Sequence, residues 1–251
     1  MDLETLALIG TLSIFVGILI GAIGIGGVLL VPILTLVFGL GIHAAISVAM
    51  FSYIFSGLVG AILYARQRSI NWKMAFWLIV GAIPAAFIGS FLSSVISARV
   101  LEFFIAVLII FVGANAVMSG GRIVDDQRKL NKTTLFGLGA VTGIGSALSG
   151  TGGPLILVPI LVWLKVPVLT AVGLSQAVQL PVATLATAGN FIYGNIDIAI
   201  GLTLALALMI GASIGARVAH SVSGTTLKNI VAWVLVAVGI FMVIRLASDL
   251  Y

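Results

Sequence analysis

The 251 residues are 61% hydrophobic and 8% charged, with mean hydropathy +1.32, 12 Lys+Arg against 7 Asp+Glu, and no cysteine. A globular domain carries about 25% charged residues, so this chain lacks the charge to cover a water-facing surface and reads as a membrane protein. The same numbers exclude a disulfide scaffold and a nucleic-acid reader; the net charge of +5 suits loops at an anionic cytoplasmic leaflet.

Residues Met1-Asp2-Leu3-Glu4 are an acidic start, unlike the basic region of a cleaved leader. Apolar runs then cover 6–23, 28–40, 43–64, 74–94 and 100–118. A basic linker, 119–132, separates them from 133–148, 154–164, 167–192, 198–220 and 227–246. Inside lipid each run is expected to be a helix, because strand or coil would leave backbone amides unpaired. The chain thus divides into 1–118, the linker 119–132, and 133–251.

The second five runs repeat the first at an offset of about 126. Gly17, Gly24, Gly26 and Gly27 fall on Gly143, Gly150, Gly152 and Gly153; Ile70, Gly89, Leu101 and Gly113 fall on Ile196, Gly215, Leu227 and Gly239. Basic residues orient the halves, since Lys and Arg stay on the cytoplasmic side. With an odd number of crossings per half, Arg66, Arg68, Lys73, Arg122, Arg128, Lys129, Lys132, Lys165, Arg217 and Lys228 lie inside, and only Arg99 and Arg245 outside. An even number gives a poorer split of about eight to four. The expected fold is all-α and polytopic: two inverted-topology repeats of five helices, with both termini outside a bacterial plasma membrane.

The second run of each half is short. At 1.5 Å per residue the two reach about 20 and 17 Å, against a hydrocarbon core of about 30 Å. Each opens at a glycine break, Gly24-Ile25-Gly26-Gly27-Val28 and Gly150-Thr151-Gly152-Gly153-Pro154. Matched short, Gly/Pro-interrupted segments point to a transport site near the bilayer midplane. Helix N-termini present unpaired N–H groups and a positive dipole end, so two of them meeting would bind an anion without a lysine. Neither break completes a nucleotide-binding motif, and no cofactor or metal is expected. The other glycines, such as Gly60 and Gly113, read as packing positions.

A duplicated G-x-G-G motif followed by Pro32 or Pro159 in two inverted apolar halves resembles the sulfite exporter TauE/SafE family of membrane anion permeases, over essentially the whole chain. That resemblance implies transport of a sulfur-containing oxyanion such as sulfite or an organosulfonate; the residues themselves say only "small anion".

In the eighth run Gln176, Gln179, Ala183, Thr187 and Asn190 share one helical face beside Pro181. Their counterparts are Met50, Tyr53, Gly57, Ala61 and Tyr64, so the second half is richer in amides. Unpaired amides in hydrocarbon are costly, and these should face protein or a wet cavity. Ser149 and Thr151 stand at the second break as helix caps or oxyanion donors, opposite Ile23 and Ile25. The candidate substrate-binding residues are therefore Gly24, Gly26, Gly27, Tyr53, Ser149, Gly150, Thr151, Gly152, Gly153, Gln176, Gln179 and Asn190. His43, His220, Glu102 and Asp197 sit at run ends, and Trp72, Trp77, Trp163 and Tyr251 suit interface anchoring. Ser149 with His220 lacks an orienting carboxylate, which disfavours an enzyme. The expected partners are the anion and the bilayer, with a homo-oligomer left open. The expected mechanism is alternating access, the two halves rocking around the anion; the rivals are a passive anion channel and a carrier of a small carboxylate.

Overall fold

The computed structural model describes residues 3–24, 26–118, 130–193 and 196–219, together with 233, 236, 237 and 239–244. The basic side chains Arg122, Arg128, Lys129, Lys228 and Arg245, with Ile25, His220, Tyr251, nearly all of the linker and much of the tenth run, lie outside the described residues. Among the described residues all regular structure is helical. In chain order the helices are α1 (Leu3–Ile23), α2 (Gly26–Val37), α3 (Ile42–Arg66), α4 (Trp72–Val95), α5 (Ala98–Met118), α6 (Lys132–Ser149), α7 (Pro154–Trp163), α8 (Val168–Tyr193) and α9 (Ile198–Val218). Residues 239–244 of the tenth run are helical too. α3, α4, α8 and α9 are each long and apolar enough to cross a bilayer.

The helix starts are written locally. Asn71 caps α4 by accepting from the Met74 amide at 3.3 Å, and Asp197, 126 positions on, caps α9 through the Ile200 amide at 3.1 Å. Such caps satisfy one of the orphan donors of the first turn. Asn131 does the same for α6, through Thr134 at 2.7 Å. Lys132 then lies 5.4 Å above the Trp77 ring, a cation–π contact between the ends of α6 and α4.

Helices in lipid gain little from burying apolar surface, so close packing through small residues has to hold them together. The two tightest pairs are α1 against α9 and α4 against α6. A Cβ on Gly17 would lie 2.7 Å from the Leu208 carbonyl oxygen, and one on Gly143 would strike the carbonyl of Ala82. Likewise Gly215 abuts the Ile18 carbonyl and Gly89 the Ile144 carbonyl. In each case the second contact is the first displaced by 126 residues. The pairs also cross the halves: α1 and α4 come from residues 1–118, α9 and α6 from 133–251. Between the pairs run α3 and α8, packed on each other, with α4 against α8 and α9 against α3.

α2 differs from a plain helix over 28–40. It begins with a 3₁₀ turn at Gly26–Leu29, passes through one α turn and widens into a π segment at Ile33–Val37. Thr35 reaches back to the carbonyls of Val31 and Pro32, both at 3.1 Å. A side-chain hydroxyl competing for those carbonyls loosens the regular ladder.

Candidate functional site

The second break, Gly150 to Gly153, separates α6 from α7 by four residues. Gly150 ends α6 in the left-handed conformation (φ 65°), its N–H returning to the Ser146 carbonyl, and Thr151 N–H reaches the same oxygen at 3.3 Å. Gly152 (φ 77°) and Gly153 (φ 113°) stay in backbone regions that side-chain-bearing residues rarely adopt. Pro154 then opens α7 where its missing N–H costs nothing. In the first break Gly24 (φ 76°) leaves α1, and its N–H returns to Ile20 at 2.9 Å.

The two breaks meet. A Cβ on Gly27 would stand 2.7 Å from the Thr151 carbonyl oxygen. Gly24 faces Val158, Ser175 and Pro154, while Gly150 faces Val31 and Ile46. Tyr53, fully buried in α3, is wedged between them: its hydroxyl donates to the Gly27 carbonyl at 2.6 Å, and its ring covers Gly152, 2.8 Å from where a Cβ would stand. Gly26 is set apart from this junction, packed on Leu19 and Val16 of its own half.

The polar face of α8 is buried along its length. Gln176 donates to the Ile20 carbonyl of α1 at 2.9 Å. Gln179 donates to the Tyr53 carbonyl at 3.3 Å and to Ser56 Oγ at 3.0 Å, tying α8 to α3. Gln179 therefore has both amide hydrogens engaged and Gln176 one, and their Oε1 atoms have no hydrogen-bond partner. Asn190 Nδ2 and Thr187 Oγ1 are buried without a partner as well. Tyr64, the counterpart of Asn190, donates to the Gly21 carbonyl at 2.9 Å.

Ser149 donates to the Gly145 carbonyl at 2.6 Å, so the 2.9 Å contact between Ser149 and Thr151 has the Thr151 hydroxyl as donor. Both hydroxyl protons are thus held inside the break. Two α6 residues that sequence reasoning passed over stand beside Gly153. Thr142 and Ser146 are fully buried with unpartnered hydroxyls, and both border Gly153. Their i, i+4 spacing is visible in the sequence, but nothing there says which face of α6 meets the break. At the run ends, His43 lies 3.1 Å from the Ile96 carbonyl, and Arg217 sits in the last turn of α9. Trp72 and Trp163 are exposed.

Residues 9–242 match the family model described as Sulfite exporter TauE/SafE. A probable membrane transporter protein of Methanocaldococcus jannaschii is 27% identical, covering 97% of this chain and 98% of its own length. The probable membrane transporter protein YdhB of Bacillus subtilis is 30% identical, covering 85% of this chain and 90% of its own. No solved structure matches the chain significantly.

Proposed function

The chain belongs to the sulfite exporter TauE/SafE family, a family of membrane transporters, and from that membership we propose that it is a secondary transporter of a small sulfur-containing oxyanion such as sulfite or an organosulfonate. The observation that carries this reading is the meeting of the two glycine breaks, Gly27 against Thr151, where two short helices open. Helix openings supply N–H donors and a positive dipole end to an anion without a buried cation.

In this reading the halves are inverted repeats in a bacterial plasma membrane, with the basic linker cytoplasmic and both termini outside. The recurrence of contacts at an offset of 126 supports a duplication, and the ten-to-two split of basic residues supports the inversion. Alternating access then takes a form different from one half rocking on the other. Sliding residues 1–118 against 133–251 would break the glycine–carbonyl contacts of α1 with α9 and of α4 with α6. The moving bodies are instead α1 with α9 and α4 with α6, each drawn from both halves, turning about α3 and α8.

The test is sulfite and methanesulfonate uptake into proteoliposomes. A carrier saturates and shows counterflow; a passive anion channel does neither. Gly152→Leu would drive a side chain into the Tyr53 ring and should abolish uptake in protein that still elutes as folded. Undiminished uptake with both Gly26→Leu and Gly152→Leu would sink the glycine-break site.

A further inference from the structure

We infer that the anion seat belongs to the second break alone: a singly charged oxyanion rests against Gly153 at the opening of α7 and receives the Ser146 hydroxyl, with Thr142 one turn away as the second donor. This deepens the transporter reading and rests on it.

The two breaks are matched in sequence and unlike in space. Around the first, a Cβ on Gly26 would be 2.6 Å from Leu19 Cβ and from the Val16 carbonyl, and one on Gly27 would be 2.7 Å from the Thr151 carbonyl. The Gly27 carbonyl is closed off by Tyr53. At the second break a Cβ on Gly153 would meet nothing nearer than 3.7 Å. The three nearest atoms there are Thr142 Cγ2, Ser146 Oγ at 3.8 Å and Gln179 Cα at 3.9 Å. Gly153 is thus in ordinary contact with its neighbours rather than crowded, and the Ser146 hydroxyl is among the nearest of them, while Thr142 turns its methyl carbon to it.

Buried helical hydroxyls in this protein ordinarily return their proton to the preceding turn. Ser52 donates to Ala49, Ser149 to Gly145 and Ser175 to Val172. Thr142 and Ser146 have the same option and leave it unused, fully buried and without a partner. A donor held unpaired in a dry interior costs free energy unless an occupant accepts from it. α7 is 10 residues long and opens on Pro154, which has no N–H; the Ile156 and Leu157 amides donate to the Gly153 carbonyl at 3.3 and 3.2 Å, which leaves the Leu155 amide as the first-turn donor with no earlier carbonyl to reach. The Ser146 hydroxyl and the Leu155 amide, both beside Gly153, call for an acceptor there.

Removing 126 from 142 and 146 gives Val16 and Ile20. The first half therefore has aliphatic side chains where the second has hydroxyls, so the duplicated motif yields one seat. The side chains bordering Gly153 are neutral, and neutral donors offset the desolvation of one charge far better than of two, because that cost grows with the square of the charge. The seat fits a sulfonate, hydrogensulfite or a carboxylate, and discriminates against sulfate.

Thermal stabilisation of the purified full chain in detergent tests binding apart from transport, with methanesulfonate as the monoanion probe and sulfate as the dianion. Methanesulfonate should raise the Tm and sulfate should not. Ser146→Ala and Thr142→Val should each weaken the methanesulfonate effect, and raise the KM for sulfite uptake, by about tenfold or more, the worth of one charge-assisted hydrogen bond. Thr142→Ser keeps the hydroxyl and should retain the affinity. Ser213→Ala, whose hydroxyl is committed to Met209, should behave as wild type. Wild-type affinity in both Ser146→Ala and Thr142→Val overturns the seat while leaving the transporter reading intact. Ser146-dependent binding without flux does the reverse. Equal stabilisation by sulfate overturns the charge selectivity, and no stabilisation by any monoanion overturns the seat.

Discussion

Gln179 donates its side-chain amide to the backbone carbonyl of Tyr53, and the two residues are 126 positions apart. Several glycine–carbonyl contacts recur at that same offset, and both glycine breaks lie beside this pair: Tyr53 touches Gly27 and Gly152, and Gln179 borders Gly153. One repeated position has thus become two different parts: a tyrosine that seals the first break and a glutamine that clamps α8 to α3.

The seal can be tested at its hydroxyl. Tyr53→Phe leaves the Gly27 carbonyl buried without its 2.6 Å partner, a loss of about 1–3 kcal/mol. Thermal unfolding in detergent should register that loss, and sulfite uptake should fall with it. An unchanged Tm would show that the contact contributes nothing.

The clamp can be measured as a coupling. A double-mutant cycle of Gln179→Leu with Ser56→Ala isolates the 3.0 Å hydrogen bond. Interhelical bonds of this kind in membranes average about 0.6 kcal/mol and reach about 1.7. The cycle should return a value in that range from unfolding midpoints; strict additivity would deny the bond.

The glycine stripes of α1 and α6 should respond alike. Gly17→Leu and Gly143→Leu place a side chain against the Leu208 and Ala82 carbonyls, and each should destabilise by about 1–3 kcal/mol or more, as overpacking does. Gly137→Leu, on the same α6 but facing open space, is the control and should unfold near the wild-type temperature. Equal effects at all three positions would contradict the packing.

Topology is open to labelling in a chain without native cysteine. Gln67→Cys, after α3, and Ile196→Cys, before α9, lie on corresponding connections of the two halves. Membrane-impermeant reagents should reach them from opposite sides. Labelling from one side would replace the inverted arrangement with a parallel one.

Much of the fold was legible along the chain because lipid simplifies the code. An apolar run can satisfy its backbone in one way only, so α3, α4, α8 and α9 follow their runs to within about two residues. Glycine and proline mark the breaks with equal clarity, since the positive φ values at Gly150, Gly152 and Gly153 are open to few other residues. The π widening of α2 was not legible: Thr35 reaches back to Val31 and Pro32 there, but Thr184 and Thr203 make the same kind of bond to Leu180 and Ala199 inside regular helix, so the hydroxyl alone does not mark it.

The sequence by itself determined a membrane protein, its helices and a pair of glycine-framed breaks, all of which depend on composition and local spacing. Only the tertiary structure decided that helices pair across the halves, α1 with α9 and α4 with α6, and that the breaks touch at Tyr53. It also separated matched glycines: Gly26 is packed against Leu19 and Val16 and Gly27 against the Thr151 carbonyl, while Gly153 is in looser contact with Thr142 and Ser146. Packing and hydrogen-bond satisfaction are properties of neighbours in space. A serine that returns its proton to its own helix, as Ser149 does, and one left without a partner beside Gly153, as Ser146 is, are the same letter until the fold supplies those neighbours.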